Sequence, residues 1–294
     1  MLVDSFRSGK LTVSLFVAFV LVLVATAILP SAGHLVAHPF KIPTGAMRPT
    51  LNGITGHARK EPAPDFFRQI RDFVVFGRSY IDVVSGEDDQ LIEVQPKRTP
   101  FGFTSSRLIF KQQIFSVSAY PDTLAQDFNV FAGRRYARGE IIARGAVDAG
   151  DYLFVDKLTY KFFQPHRGDL VVFHTSGISG INTDTFYVKR LAGLPGDTLR
   201  INPPFLYVNG QLASGPGFRR VMSATDGYHG YALGRAYLAR PDEEFQVPKE
   251  SYFVLGDNSY NSFDSRYWGC VPTANMYGRV ARIYYPLSRI GVPQ

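Results

Sequence analysis

From Gly150 to the end of the chain, short apolar stretches alternate with glycine, aspartate and asparagine turns, and this pattern constrains the fold more than any other feature. Two of these stretches are Leu170–Phe173 and Leu206–Val208, and the second runs into Asn209-Gly210, a pair typical of tight hairpins. Little of the region has helical spacing. Short strands joined by tight turns predict a mainly β domain with a coiled antiparallel sheet over residues 150–294.

An uncharged stretch near the N-terminus predicts a membrane anchor. Residues 11–29 (LTVSLFVAFVLVLVATAIL) carry no charged side chain over about the length that crosses a bilayer. Arg7 and Lys10 precede the stretch and the first cation after it is Lys41, which favours a cytoplasmic position for residues 1–10. The alternative is a cleavable secretion signal, for which the apolar run is long and Pro30-Ser31-Ala32 is a poor cleavage site.

Two segments of different character follow. Residues 40–51 contain two prolines and a glycine, which predicts an extended segment ending in turns close to the bilayer. Residues 52–149 are punctuated by prolines and predict an inserted α+β subdomain without chemistry of its own. Within it, residues 65–76 have the spacing of an amphipathic helix, which we expect to bury its apolar side in a core rather than to contact a membrane. Residues 91–95 and 108–115 each predict a short strand.

Lys189 is predicted to lie near the end of an apolar strand, beside the tight turn Gly193-Leu194-Pro195-Gly196-Asp197. Lysine is rarely fully buried, so one interpretation is a solvated cation on an outward face. The other is a lysine in apolar surroundings, where desolvation lowers its pKa until the neutral amine can accept a proton.

A second dense polar cluster runs from Gly256 to Gly269. Asparagine, aspartate and glycine build turns through side chain to backbone hydrogen bonds, so this segment predicts a structured loop. Its hydroxyl groups, with Asp264 and Arg266 two residues apart, could instead orient an active-site lysine.

Composition favours some partners over others. The net charge of +7 suits anionic phospholipid headgroups, while the dispersed lysines and arginines argue against nucleic acid. The six histidines are scattered without ligand spacing, so we expect no metal site, and no nucleotide-binding fingerprint is present. The single Cys270 excludes a disulfide within the chain.

Taken together, these stretches resemble bacterial type I signal peptidase, a membrane-bound serine protease family with a Ser-Lys dyad. The family's P-S-x-S-M-x-P-T-L box is similar to Pro43–Leu51, and its Y-hydrophobic-K-R-hydrophobic-x-G-hydrophobic-P-G-D box to Tyr187–Asp197. Three further boxes match in the family's order: G-D-x-hydrophobic-V-x-K at Gly150–Lys157, with one additional residue before the valine, R-G-D-hydrophobic-V-V-F at Arg167–Phe173, and G-D-N-x-x-x-S-x-D-S-R-x-W/F-G at Gly256–Gly269.

The resemblance implies a role for each matching residue. Lys189 would be the general base and Ser262 the hydroxyl that orients its amine. Thr44, with the backbone N–H of position 46, would stabilise the oxyanion. Asp264 and Arg266 would brace the loop that carries Ser262. The resemblance also implies a single-pass protein of the inner (cytoplasmic) membrane with its catalytic domain on the extracytoplasmic side, no cofactor, and preprotein signal peptides as substrates.

The departure from the family lies at the nucleophile, because Ala46 occupies the position of the serine and a methyl group cannot attack a carbonyl. Three interpretations remain open: an alanine mutant that traps substrate, a natural relative that binds signal peptides without cutting them, or a nucleophile displaced to Thr44. The third rests on an extended segment, in which Thr44 and position 46 project to the same face.

Three classes of function follow. The first is a signal peptidase that removes signal peptides from exported preproteins through an acyl-enzyme, and the second is a membrane-tethered binding protein or scaffold that keeps the peptidase fold. The pKa of Lys189 separates these two, since a scaffold does not need a neutral buried amine. A secreted lipid- or polysaccharide-binding β domain would leave the five matching boxes unexplained.

Overall fold

The computed structural model of the chain describes residues 37–98, 104–181 and 184–293. Its strands are β1 Ala37–Lys41, β2 Thr55–Ala58, β3 Arg78–Val84, β4 Asp89–Arg98, β5 Thr104–Phe110, β6 Ile114–Val117, β7 Arg135–Tyr136, β8 Ile141–Asp148, β9 Tyr152–Asp156, β10 Leu170–His174, β11 Phe186–Gly193, β12 Thr198–Asn202, β13 Phe205–Val208, β14 Gln211–Leu212, β15 Glu244–Gln246, β16 Ser251–Leu255, β17 Val271–Pro272 and β18 Met276–Tyr285. Its helices are α1 Phe66–Phe76, α2 Pro121–Phe128, α3 Thr159–Phe162, α4 Pro216–Met222 and α5 Ser265–Trp268, with 3₁₀ turns at Gly45–Met47, Ser259–Asn261, Thr273–Asn275 and Leu287–Arg289.

The membrane helix predicted over residues 11–29 lies outside the described residues. Among the residues that are described, no helix is both long enough and apolar enough to cross a bilayer.

The chain divides into two compact units. The β unit contains the described residues 37–53, 150–285 and 290–293, and the insert unit contains residues 54–149 and 286–289. The ladders of both units are antiparallel. The predicted mainly β, antiparallel architecture is confirmed.

The β unit is built on a large sheet whose strand order in the described residues is β1-β9-β18-β10-β11-β16-β17. Its register shifts at four points, in the pairings of β10 with β18, β11 with β16 and, twice, β18 with β9. Each such irregularity increases the local twist, which curls the sheet. A smaller sheet, β14-β13-β12-β15, packs with α4 around a separate apolar cluster.

The predicted strands of the β unit are confirmed with small changes in their limits. The strand that carries Lys189 continues to Gly193, so the lysine lies within the strand rather than at its end. On one side this strand, β11, pairs with β10, and Lys189 lies opposite Val171. On the other side β11 pairs with β16, but only from Arg190 onward.

The insert unit contains two small sheets, β2-β8-β3 and β6-β5-β4-β7, with α1 and α2. The helix predicted over residues 65–76 is confirmed as α1, which begins after the N-cap Asp65 and ends at Gly77 in the left-handed conformation. The single strand predicted over 108–115 is wrong, because the chain turns between β5 and β6. The Asp89 carboxylate accepts hydrogen bonds from the backbone N–H groups of Lys111 and Gln112, which stabilises that turn.

The expected burial of α1 is also wrong. Its buried residue is Asp72, whereas Phe66 and Phe67 are 53% and 81% exposed. The buried core of the insert unit is formed by residues of its strands, of α2 and of adjoining loops, and includes no α1 residue. The helical spacing was predicted correctly, but the side that faces the rest of the unit was not.

Candidate active site

Lys189 lies inside the β unit with only 4% of its surface exposed. Its Nζ donates a hydrogen bond of 2.8 Å to Ser262 Oγ, which is also buried. The interpretation of Lys189 as a solvated cation is therefore wrong, and the structure brings together the two side chains that the resemblance paired.

Burial lowers the pKa of Lys189 from 10.5 to about 8. The neighbouring Asp264 and Asp257 carboxylates oppose this shift, and the Arg266 guanidinium adds to it. Desolvation dominates because the amine has left water without an ion-pair partner of its own in direct contact among the described residues. A substantial fraction of the amine is consequently neutral near pH 8, as a general base requires.

The loop that carries Ser262 is stabilised by a buried ion pair. The Asp264 carboxylate accepts hydrogen bonds from Arg266 Nε and Nη2 at 2.8 Å each and from the backbone N–H of Gly256 at 2.9 Å. Arg266 also donates to the carbonyls of Ala232 and Ser259. Both charged side chains are fully buried, so this pair closes the loop at its base and fixes where Ser262 lies.

Ala46 and Ser262 both lie close to Gly256. A Cβ added at Gly256 would lie 2.1 Å from Ser262 Oγ and 2.7 Å from the Ala46 carbonyl oxygen. The backbone N–H of Asn258 donates to that carbonyl at 3.0 Å, and its side-chain amide donates to the carbonyl of Gly45. Position 46 is therefore held beside the loop of Ser262, and a glycine is required where the two segments approach.

Thr44 and Ala46 do not belong to one extended segment, which corrects the geometry assumed from the sequence. Thr44 is extended and exposed, but Gly45–Met47 form a 3₁₀ turn in which Ala46 is half-buried. The alternation of an extended strand therefore does not apply from position 44 to position 46, and the expectation that both project to the same face loses its basis. The Thr44 hydroxyl makes no capping hydrogen bond to the turn that it precedes.

A second buried ion pair, for which the sequence indicated no role, links four of the matched boxes. Arg190 Nε and Nη2 donate to the Asp257 carboxylate at 2.8 and 2.6 Å, and the Thr50 hydroxyl donates to the same carboxylate. Arg190 also donates to Thr50 Oγ1 and to the Gly168 carbonyl. The sequence signal for this network was that Arg190, Asp257 and Thr50 each lie in a matched box. Their spacing along the chain did not indicate that the three side chains meet.

Comparison with known proteins agrees with the sequence motifs. A model of the family described as "Signal peptidase, peptidase S26" matches residues 109–285, which is more than half of the chain and excludes the 43–51 box. The probable signal peptidase I-2 of Synechocystis sp. is 34% identical over 147 residues, covering 48% of this chain and 58% of that protein. Signal peptidase I of Leptolyngbya laminosa is 34% identical over 152 residues, covering 49% and 65%, and that of Bacillus caldolyticus is 34% identical over 143 residues, covering 49% and 74%.

Among solved structures, a signal peptidase I from Enterococcus faecalis V583 is 30% identical, with a TM-score of 0.32, over 40% of this chain and 97% of that one. The chain spans 58% and 65% of the lengths of the Synechocystis and Leptolyngbya proteins. Because the family model matches more than half of the chain, and the Bacillus caldolyticus protein is 34% identical over 74% of its length, the chain belongs to the signal peptidase family, peptidase S26.

Proposed function

We propose that this protein takes part in signal-peptide processing, by holding the end of the N-terminal signal peptide of an exported preprotein in a Ser/Lys-type peptidase site. The observation that carries the proposal is the buried amine of Lys189, which is hydrogen bonded to Ser262 and has a lowered pKa. Peptide-bond cleavage requires a base of this kind, and its retention beside Ser262 supports a peptidase-type site even though position 46 is alanine.

In this proposal Lys189 is the general base and Ser262 fixes the direction of its amine. The Thr44 hydroxyl and the N–H of position 46, at the start of a 3₁₀ turn, stabilise the oxyanion, because the first N–H groups of a helical turn have no partner within it. A serine at position 46 would transfer its proton to Lys189, attack the scissile carbonyl and form an acyl-enzyme, and the lysine would protonate the departing amine. Ala46 lacks the hydroxyl, so the chain binds signal peptides without cutting them through this position.

Sheet edges beside the site give the substrate a place to bind. In the described residues β16 pairs with β11 only from Arg190, which leaves Phe186–Lys189 unpaired on that side, and β1 pairs with β9 alone. An extended peptide can add to such an edge through backbone hydrogen bonds, with its alternate side chains entering the site. The resemblance to the family implies small residues at the first and third positions before the cut.

The proposal includes a membrane location. The uncharged residues 11–29 anchor the chain as one helix in the inner (cytoplasmic) membrane, residues 1–10 stay in the cytoplasm, and the β unit lies on the extracytoplasmic side. Phospholipid and preproteins are then the partners.

A second candidate function is cleavage with Thr44 as the nucleophile. It is favoured by the retention of a buried amine with a lowered pKa and by the exposed Thr44 hydroxyl, which caps no turn. Its weakness is that position 46 lies in a 3₁₀ turn, so Thr44 and position 46 do not share one extended segment.

Two measurements test these proposals on the full chain in detergent with phospholipid. Fluorescence anisotropy should show that a labelled signal peptide with alanine at the first and third positions binds tightly, and that tryptophan at either position weakens binding at least roughly tenfold. Equal binding of both peptides would contradict the proposed site. Cleavage of a preprotein by the unmodified chain, lost in Thr44→Val, would establish the second candidate instead.

A further inference from the structure

Helix α1 of the insert unit contacts β3 through its polar side and also packs against the 3₁₀ turn Leu287–Arg289. The Asp72 carboxylate is 4% exposed and accepts a hydrogen bond of 2.6 Å from the Tyr80 hydroxyl of β3. Arg71 Nε and Nη2 donate to the same carboxylate at 3.0 and 2.6 Å. An amphipathic helix of a globular unit ordinarily turns its polar side to water, so this attachment is inverted.

The apolar side of α1 is consequently directed away from the core. Phe66 and Phe67 stand at its first turn with rings 5.9 Å apart, and both are exposed. Ile70, Phe73 and Val74 continue the same side one and two turns later and are half-buried. Two adjacent, largely exposed phenylalanines on a helix indicate a surface that contacts an apolar partner, either a membrane or another protein.

Positive charge borders this apolar side. Arg71 lies one turn after Phe67, and its side chain remains 59% exposed despite the ion pair with Asp72. Arg68 is exposed one turn before Arg71, and Arg59 lies near enough to influence Tyr80 electrostatically. Arginines beside aromatic side chains on one helix are the arrangement of helices that lie in the interface of an anionic bilayer.

We propose that α1 lies on the surface of an anionic phospholipid bilayer, with Phe66 and Phe67 inserted below the headgroups and Arg68 and Arg71 on the phosphates. This inference rests on the membrane anchor proposed for residues 11–29, which keeps the insert unit close to a bilayer at all times. Because the anchor supplies the high local lipid concentration, two phenylalanines and two arginines suffice for the contact.

The test uses the full chain reconstituted into vesicles, with tryptophan as a depth reporter. Phe67→Trp is compared with Ile114→Trp, which replaces a residue of the same unit that is 66% exposed and lies outside α1. The emission of the parent chain, which comes from the buried Trp268, is subtracted. Vesicles contain phosphatidylcholine alone or with phosphatidylglycerol, each with and without brominated acyl chains.

We expect brominated lipid to quench the Phe67→Trp emission by roughly half in anionic vesicles, less in zwitterionic ones, and to leave Ile114→Trp unchanged. Adding Arg68→Gln should reduce the difference between the two lipid compositions. Unquenched emission at the wavelength of exposed tryptophan would mean that α1 stays in water, and unquenched blue-shifted emission would mean that protein covers it. Either result overturns the inference.

Vesicle flotation separates this inference from the proposed membrane anchor. A chain that floats with position 67 unquenched contradicts this inference alone, whereas a chain that does not float contradicts the anchor as well.

Discussion

The buried ammonium of Lys189 opposes folding at neutral pH. Its pKa falls from 10.5 to about 8 on burial, so from pH 8 to 10.5 the unfolded chain binds the proton more strongly and the free energy of unfolding rises with pH. Below pH 8 the full penalty is present, on the order of 3 kcal/mol for such a shift. A side chain kept at this cost points to a functional rather than a structural requirement.

We therefore expect Lys189→Met to stabilise the β unit at pH 7 by up to about 3 kcal/mol and to have little effect at pH 10. The gain is reduced by the free energy of the hydrogen bond to Ser262, which the variant loses. Thermal unfolding in detergent at the two pH values measures this. Lys161→Met, at an exposed lysine, is the matched control and should change neither melting temperature. If the two variants melt alike at pH 7, Lys189 is not desolvated as described.

Ser262 should act on the amine rather than on the substrate. Its oxygen accepts a hydrogen bond that favours the ammonium form, so in a chain made active by Ala46→Ser the further change Ser262→Ala should lower the apparent pKa of the pH–rate profile below about 8. We also expect kcat to fall roughly 100-fold, because the amine loses its direction. Ser262→Thr should restore both quantities in part. The control Ser223→Ala, at an exposed position, should change neither the apparent pKa nor kcat. A lower kcat with an unmoved pH profile would indicate a merely structural role.

At the scale of the elements, local patterns predicted what local forces decide. The strands β10, β11 and β13 were predictable because apolar runs and turn residues lie within a few positions of each other. The turn between β5 and β6 was not, since it depends on Asp89, a residue more than twenty positions earlier along the chain. The orientation of α1 was also missed, because periodicity reveals an apolar side but not which neighbour it faces.

The residues of the candidate site are far apart along the chain, so local patterns could not bring them together. Lys189 and Ser262 lie 73 residues apart, and only resemblance to a family paired them. Thr50 and Arg190, separated by 140 residues, meet only once the sheet has curled. Their contact carries no sequence signal beyond membership of the matched boxes.

Thr50 connects the segment that carries position 46 to Arg190 and Asp257, so we expect Thr50→Val to destabilise the protein. This change removes a buried hydroxyl that donates to Asp257 and accepts from Arg190, which should cost about 1–3 kcal/mol and release the segment carrying position 46. The melting temperature should fall, and so should the activity of an Ala46→Ser chain. Thr44→Val alters an exposed residue of the same segment and should leave the melting temperature unchanged. Equal melting of the two variants would argue against the network.

At the scale of the whole molecule, the β unit holds the two ends of the insertion together. The backbone N–H of Asn52 donates to the Asp151 carboxylate at 2.7 Å, and the N–H of Asp151 donates to the Asn52 carbonyl at 2.8 Å. If Gly53 were joined directly to Gly150, the second bond would close a four-residue turn with two central glycines. That is a favoured hairpin connection, and Gly150 already has a positive φ of 77°.

A chain with Gly53 joined to Gly150 should therefore keep the β unit folded. We expect a cooperative melting transition, resistance to limited proteolysis, and binding of the signal peptide within roughly threefold of the full chain. Asp151→Ala in the shortened chain removes the acceptor for Asn52 and should lower the melting temperature. An unfolded shortened chain would show that the β unit depends on residues 54–149.

The most direct test of the account is the gain of activity on Ala46→Ser. We predict that the unmodified chain leaves an exported preprotein intact in detergent with phospholipid, that Ala46→Ser cleaves it at the signal-peptide junction with a rate rising through about pH 8, and that Ala46→Ser with Lys189→Met is inactive. A folded Ala46→Ser chain that binds the peptide and does not cleave it, or one whose cleavage survives the loss of Lys189, would contradict the assignment of this site.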